Sequence, residues 1–185
     1  MIIAIHGEII AKEAWFCDIL TAGGVAYRLF ITLTTFANLG AIGDKAKLLA
    51  SQIVREDSLS LFGFVEAAER DLFEQLIKVT GIGPKTAIAI LSTYRPAQFA
   101  EIVASGDETA LAKVPGIGKK TASLTIVQLG GKVETFAGAG GAKKDAFAAL
   151  ETLGYKAAEI AKALAKCKAE NTAEIIKEAL KIIRK

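Results

Sequence analysis

Residues 79–87 read Val-Thr-Gly-Ile-Gly-Pro-Lys-Thr-Ala, and residues 114–122 read Val-Pro-Gly-Ile-Gly-Lys-Lys-Thr-Ala. The two stretches start 35 residues apart, and each contains Gly-Ile-Gly with a lysine close behind it. Apolar residues at helical spacing precede and follow each copy. The repeat therefore predicts the same unit twice: a helix, a tight glycine turn and a second helix.

The glycine turn of each copy predicts a contact with phosphate. Glycine permits φ > 0 and close approach of another chain. The helix that follows begins with N–H groups that lack an intrahelical partner, and these donors attract an anion. The candidate residues are Gly81, Gly83, Lys85, Thr86, Gly116, Gly118, Lys119, Lys120 and Thr121. Such contacts bind a nucleic-acid backbone without reading bases. A single copy could equally be an ordinary turn between two helices that is capped by glycine. The presence of two similar copies favours the interpretation that the turns contact phosphate.

The first 64 residues are typical of a small β-barrel. Apolar, β-branched runs flank two turn sequences, Ala22-Gly23-Gly24 and Arg55-Glu56-Asp57, and each arrangement predicts a hairpin. Roughly five or six short strands favour an OB-fold, although an SH3-like barrel fits the pattern nearly as well. Glu56 and Asp57 are predicted at a hairpin tip, where a solvated charged turn is the simplest explanation.

The remaining residues predict helices. Pro96 is expected to open one helix and Asp107 to cap another. The Gly/Ala-rich residues 131–142 predict a flexible linker. Residues 143–185 predict three short amphipathic helices with a marginal core, which is more typical of a docking module than of an enzyme.

The order of these features resembles the RuvA family of bacterial Holliday-junction-binding proteins. The motifs that carry the resemblance are Gly23-Gly24-Val25-Ala26-Tyr27, Val54-Arg55-Glu56-Asp57, Leu61-Phe62-Gly63-Phe64, Glu69-Arg70, Leu72-Phe73, the two helix-hairpin-helix motifs and Leu153-Gly154-Tyr155. The resemblance implies an α+β multidomain chain: an OB-fold barrel (1–64), an all-α tandem helix-hairpin-helix domain (65–130), the linker (131–142) and a three-helix, UBA-like domain (143–185).

The same resemblance implies a non-catalytic subunit that holds four-way junction DNA open and flat. It would form a homotetramer, with an octamer on DNA as the alternative, and would recruit the RuvB motor ATPase through its tail. The RuvC resolvase is a further candidate partner. Glu56 and Asp57 would form an acidic pin that repels phosphates at the crossover. Ser123-Leu124 stand where the family often has Glu-Arg, so an arginine contact with the backbone is missing.

Composition excludes several classes of protein. No apolar run reaches the roughly 18 residues of a membrane span, and no leader peptide is visible. Cys17, Cys167 and the single His6 cannot build a zinc or iron–sulfur site, so neither a metal nor a cofactor is expected. Two lone cysteines predict reduced thiols and a cytoplasmic protein. The net charge of +3 is modest for a DNA-binding protein and is most positive in the tail.

Two other functions compete with this interpretation. A helix-hairpin-helix DNA glycosylase or lyase needs an acid just after one hairpin, but the first aspartate after Gly118 is Asp145. A generic scaffold would bind duplex or single strands through the barrel, yet no aromatic stacking row is evident, and Phe16, Tyr27 and Phe30 are assigned to packing. ATP hydrolysis is not expected, because the chain lacks a Gly-x-x-x-x-Gly-Lys-Ser/Thr sequence.

Overall fold

The computed structural model describes residues 1–130, 140–164, 167 and 172–183, and for residues 140–145, 157 and 158 it describes the backbone alone. The chain divides into two compact units, Met1–Ala137 and Gly138–Lys185. The predicted linker lies outside the described residues except for its last three, which belong to the first turn of a helix. The proposed four-part division of the chain stays a prediction.

Five strands of the first unit close into a barrel. They are β1 (Ala4–Glu13), β2 (Phe16–Leu20), β3 (Ala26–Ile31), β4 (Lys45–Val54) and β5 (Leu59–Phe64). The order around the barrel is β1-β2-β3-β5-β4, with β1 paired to β4. The β3–β5 pair is parallel and the other pairs are antiparallel. This topology confirms the OB-fold prediction and excludes the SH3-like alternative.

The barrel is held by an apolar interior and by two special glycines. Its core consists of Ile5, Ile9, Cys17, Ile19, Leu29, Ile31, Leu48, Ala50 and Leu61, each at most 4% exposed. A Cβ on Gly7 would collide with the carbonyl of Leu20 on β2, so only glycine lets the strands approach there. Gly24, with φ +79°, turns the chain between β2 and β3 as the Gly-Gly sequence predicts.

Two local features of the barrel were not specified by the sequence prediction. β1 is one strand of 10 residues with an irregular register between Ile9 and Ala11. A short helix, α1 (Leu33–Asn38), follows β3 and was not predicted. Thr32 caps it by accepting a hydrogen bond from the Thr35 N–H. Six residues rich in threonine carry too weak a helical signal to be recognised in the sequence.

Five helices follow the barrel in the described part of the same unit, up to residue 130. They are α2 (Ala67–Leu76), α3 (Pro84–Thr93), α4 (Pro96–Ser105), α5 (Glu108–Ala112) and α6 (Lys119–Leu129). Pro96 opens α4, and the Asp107 carboxylate caps α5 by accepting from the Ala110 N–H at 2.9 Å. Both helix starts are as predicted from the sequence.

Aromatic packing joins the barrel to these helices. The Phe73 ring of α2 lies 4.8 Å from the ring of Phe62 and 5.1 Å from that of Phe64, measured between centroids. Phe62 and Phe64 both belong to β5, and all three rings are at most 5% exposed. The strand that leaves the acidic hairpin is therefore packed directly on the helix that leads to the first glycine turn.

The second unit contains three described helices, α7 (Gly140–Thr152), α8 (Ala157–Leu164) and α9 (Thr172–Ile183). Its small core consists of Ala146, Leu150, Ile160, Ala163, Leu164, Cys167, Ile175 and Ala179. Gly154, with φ +89°, ends α7, and the Tyr155 N–H returns to the Leu150 carbonyl at 3.2 Å. Three amphipathic helices were predicted for this part of the chain, and the described residues form three.

The two cysteines of the chain are both buried. These residues, Cys17 and Cys167, lie in different units. Burial, reinforced by the Asp18 charge, raises the pKa of the Cys17 thiol to about 11, which disfavours the thiolate form. None of the helices in the described ranges is long and apolar enough to cross a membrane.

Candidate nucleic-acid interface

The two repeated stretches form two turns with the same backbone. Gly81 has φ +91° and Gly116 has φ +88°, a left-handed conformation that disfavours any residue with a Cβ. The next residue in each turn, Ile82 or Ile117, is buried and closes the turn through its N–H. The Ile82 N–H donates to the Val79 carbonyl at 3.0 Å, and the matching bond of Ile117 measures 3.1 Å.

Each turn opens directly into a helix with an uncapped N-terminus. Gly83 and Gly118 occupy the N-cap positions of α3 and α6, and neither helix start receives a side-chain hydrogen bond. Both glycines are exposed, and a Cβ built on either would meet nothing within 4 Å. Because the first N–H groups of a helix have no intrahelical acceptor, they remain available to an anion that approaches these glycines.

The lysines of the repeats surround these helix starts. Lys85, Lys119 and Lys120 are all exposed. None of the three forms an ion pair within the described part of the chain. No acidic residue occurs in either nine-residue stretch. The ammonium groups therefore add positive charge where the helix starts already favour a phosphate.

The two turns pack against each other in a reciprocal way. A Cβ on Gly81 would lie 3.4 Å from the Thr121 hydroxyl oxygen, and a Cβ on Gly116 would lie 3.4 Å from that of Thr86. Both threonines are half-buried. The sequence suggested them as hydroxyl donors to DNA, and the structure places each beside the glycine of the other turn. The result is one surface on which the two turns lie side by side.

The two turns differ at the first helical residue. Pro84 occupies that position in α3, whereas Lys119 occupies it in α6. Proline has no N–H, so the second turn offers one more backbone donor and one more lysine than the first. Ser123 and Leu124, one turn further along α6, are half-buried and supply no cation.

The predicted acidic pin lies at the tip of the β4–β5 hairpin. The Arg55 N–H donates to the Ser58 carbonyl at 2.8 Å and closes the tip. Glu56 and Asp57 between them are exposed, and the Ser58 hydroxyl donates to one Asp57 oxygen at 3.2 Å. Neither carboxylate pairs with a cation among the described residues. The tip therefore presents two solvated negative charges.

Sequence reasoning missed one polar cluster in the first unit. Glu69 of α2 is only 3% exposed, and each of its carboxyl oxygens accepts a hydroxyl hydrogen bond. Thr32 donates at 2.6 Å and Thr35 at 2.9 Å. Burial raises the pKa of Glu69, the two hydroxyls oppose that rise, and the nearby Glu66 charge adds to it. The signal in the sequence is spacing, because Glu69 precedes buried Leu72 and Phe73 by three and four residues.

A closed barrel, two packed glycine turns and exposed lysines define a nucleic-acid-binding protein of the tandem helix-hairpin-helix class. A family model described as a SAM-like helix-hairpin-helix tandem matches residues 73–130. Two more, described as the RuvA N terminal domain and the RuvA C-terminal domain, match residues 1–63 and 141–184. The chain belongs to the RuvA family.

Curated relatives agree with that assignment along the whole chain. A protein of Sulfurimonas denitrificans is 44% identical over 100% of this chain and 99% of its own. One of Wolinella succinogenes is 46% identical over 98% and 97%. A third, of Campylobacter jejuni subsp. doylei, is 39% identical over the full length of both. Each relative is named Holliday junction branch migration complex subunit RuvA.

Proposed function

We propose that this chain is the DNA-binding subunit of a branch migration complex and that its substrate is the Holliday junction. The observation that carries the proposal is the pair of uncapped, lysine-flanked helix starts in the same unit as an exposed acidic hairpin. The first feature attracts the DNA backbone. The second repels it. A uniform duplex has no region without phosphates in which a repulsive hairpin could lie beside the attractive turns. The open centre of a four-way junction has such a region.

Backbone recognition suits this substrate. A complex that moves a branch point must bind every base sequence that passes through it. N–H groups at Gly83 and Gly118 and the neighbouring lysines bind phosphates, and phosphate contacts carry no sequence information. The barrel aromatics considered as a stacking row are engaged in packing, since Phe16 is buried and Tyr27 and Phe30 are half-buried.

The acidic hairpin acts at the crossover. A homotetramer arranged around the junction brings eight carboxylates of Glu56 and Asp57 to one centre, where they repel phosphates and keep the separated strands apart. An octamer on DNA is the alternative assembly. Because Ser123 and Leu124 supply no cation, the two glycine turns and their lysines make the contacts with each DNA arm.

The chain contributes no chemistry of its own in this proposal. The second unit docks the RuvB motor, which hydrolyses ATP and pulls the DNA, and the RuvC resolvase is a further partner on the assembled junction. Truncation after residue 130 should then keep junction binding and lose stimulation of the motor. We place the protein in the cytoplasm, on the support of its family and of a composition with only two cysteines.

A direct comparison of substrates tests the proposal. Gel shifts of a four-way junction and a linear duplex of equal length, with mass measured in solution, should give tighter junction binding by a tetramer. A Lys119→Ala, Lys120→Ala variant should lose affinity for both. Equal affinity of the wild-type chain for the two DNAs would favour the generic scaffold. Base release or strand cleavage by the purified chain would favour the glycosylase or lyase.

A further inference from the structure

The Glu69 cluster joins the barrel to the helices through hydrogen bonds. Glu69 lies on α2, while Thr32 and Thr35 belong to the segment that follows β3 of the barrel. A carboxylate removed from water is unfavourable unless partners satisfy it. Here the hydroxyls at 2.6 and 2.9 Å supply one donor to each oxygen. No function assigned so far to the chain uses this group.

The direction of each hydrogen bond in the cluster is fixed by the backbone. The Thr35 N–H donates to the Thr32 hydroxyl oxygen at 3.0 Å, and the Val65 N–H approaches the Thr35 hydroxyl oxygen at 3.4 Å. Each hydroxyl thus accepts from the main chain and directs its proton to Glu69. A carboxylate can accept at both oxygens, whereas a glutamine amide can accept at only one.

The same segment also contacts the helix on the far side of the first glycine turn. The Leu33 N–H at the start of α1 donates to the Ser92 hydroxyl of α3 at 3.1 Å. The segment that holds Glu69 therefore touches α2, which precedes the turn at Gly81, and α3, which follows it. One helical turn beyond Glu69, Phe73 packs on Phe62 of β5, the strand that leaves the acidic hairpin.

We propose that Glu69 is a positioning residue for junction recognition, which holds the first glycine turn in a fixed place relative to the acidic hairpin. The inference rests on the proposed junction binding. A duplex needs only the glycine turns and their lysines. A junction requires that an arm lie on the turns while the crossover meets Glu56 and Asp57. Loss of the Glu69 contacts loosens the spacing between these two surfaces and therefore weakens junction binding more than duplex binding.

Single variants of the full-length chain measure this effect. Glu69→Gln should lower the ratio of junction to duplex affinity about fivefold, in the range typical of coupled neighbouring residues. Glu74→Gln, a carboxylate on the same helix, is the matched control and should leave the ratio unchanged. Thr35→Val should act like Glu69→Gln, and Thr35→Ser, which keeps the hydroxyl, should restore the wild-type ratio. Circular dichroism and solution mass establish that each variant is folded and assembled.

A double-mutant cycle separates positioning from a general loss of stability. If Glu69 acts through the acidic hairpin, Glu69→Gln should have no further effect on the ratio once Glu56→Gln and Asp57→Asn are present. The inference would be overturned if Glu69→Gln lowered the ratio of junction to duplex affinity equally in the Glu56→Gln, Asp57→Asn background and in the wild-type background. It would also be overturned if Glu69→Gln alone kept the wild-type ratio. If Glu69→Gln does not assemble, Thr35→Val and Thr35→Ser test the inference instead. Thr35→Val should then lower the ratio of junction to duplex affinity and Thr35→Ser should keep it, and equal ratios in the two variants would overturn the inference. Absence of any junction preference in the wild-type chain would instead overturn the proposed function.

Discussion

Gly81 of the first turn lies against Thr121 of the second, so that a Cβ on the glycine would stand 3.4 Å from the threonine hydroxyl oxygen. Gly116 and Thr86 repeat the relationship with the turns exchanged. Each turn thus supports the other, and two sites that the sequence separates by 35 residues become one surface. Because the contact runs through residues with φ near +90°, it also depends on glycine.

Gly81→Ala should destabilise the fold by about 1 kcal/mol, since an alanine in the left-handed region is strained and only part of that cost is offset by a less flexible unfolded chain. Urea unfolding at fixed protein concentration measures the change. Gly23→Ala, in an exposed turn without positive φ, is the control and should shift stability by less than about 0.5 kcal/mol. Equal effects of the two variants would mean that the turn tolerates a Cβ.

Gly118→Ser should separate stability from binding. Serine is a good N-cap, so stability should hold or rise by a few tenths of a kcal/mol. Its side chain would occupy the helix N–H groups and the open space beside them, so affinity for junction and duplex should both fall about tenfold. Filter binding and urea unfolding on the same sample measure the two quantities. Unchanged affinity would remove the N–H groups of α6 from the interface, and Gly23→Ser serves as the control.

Salt should weaken DNA binding steeply. If the eight turns of a tetramer each neutralise about one phosphate, log K against log salt should have a slope of roughly −7, a loss of ~10⁴ in affinity between 50 and 200 mM. Lys119→Ala with Lys120→Ala should flatten that slope more than Lys85→Ala does, because the second turn carries the additional lysine. A wild-type slope shallower than about −2 contradicts the phosphate contacts.

Neutralising the acidic hairpin should reduce selectivity and not affinity. Glu56→Gln with Asp57→Asn removes repulsion worth only about 1 kcal/mol per exposed pair, repeated around the tetramer. Junction binding should hold or tighten and duplex binding should tighten more, as titrations of both DNAs would reveal. Glu8→Gln with Glu101→Gln removes two exposed charges elsewhere and should change neither. Much weaker junction binding by an intact tetramer would make Glu56 and Asp57 structural turn residues.

The buried Glu69 should make stability depend on pH. Burial, despite the two hydroxyls, raises the pKa of Glu69 in the folded state above the ordinary value of 4.5, which applies to the unfolded state. At a pH between the unfolded and the folded pKa, the folded state therefore binds more protons than the unfolded state. Its contribution to the free energy of unfolding is then largest below pH 4.5 and falls as pH rises through the folded pKa. Urea unfolding across that range should show the decline in wild type and in Glu74→Gln, and its loss in Glu69→Gln. A decline that survives in Glu69→Gln would assign it to another group.

The sequence by itself determined the features that depend on neighbouring residues. The Gly-Ile-Gly turns, the helix starts at Pro96 and Asp107 and the hairpin turn at Gly24 follow from local backbone preferences, which a short window of residues expresses. The acidic tip is placed at a turn for the same reason. The match of the whole series in order and spacing extended these local signals to a family, and the family comparisons bear that out.

Only the tertiary structure decided what depends on residues far apart in the chain. The choice between an OB-fold and an SH3-like barrel rests on the parallel pairing of β3 with β5, which no local pattern encodes. The reciprocal contacts of Thr86 and Thr121 need both turns in place, and Glu69 finds its partners 34 and 37 residues earlier in the chain. Hydrogen bonds and close packing act through space, so these relationships exist only after the barrel and helices have folded together.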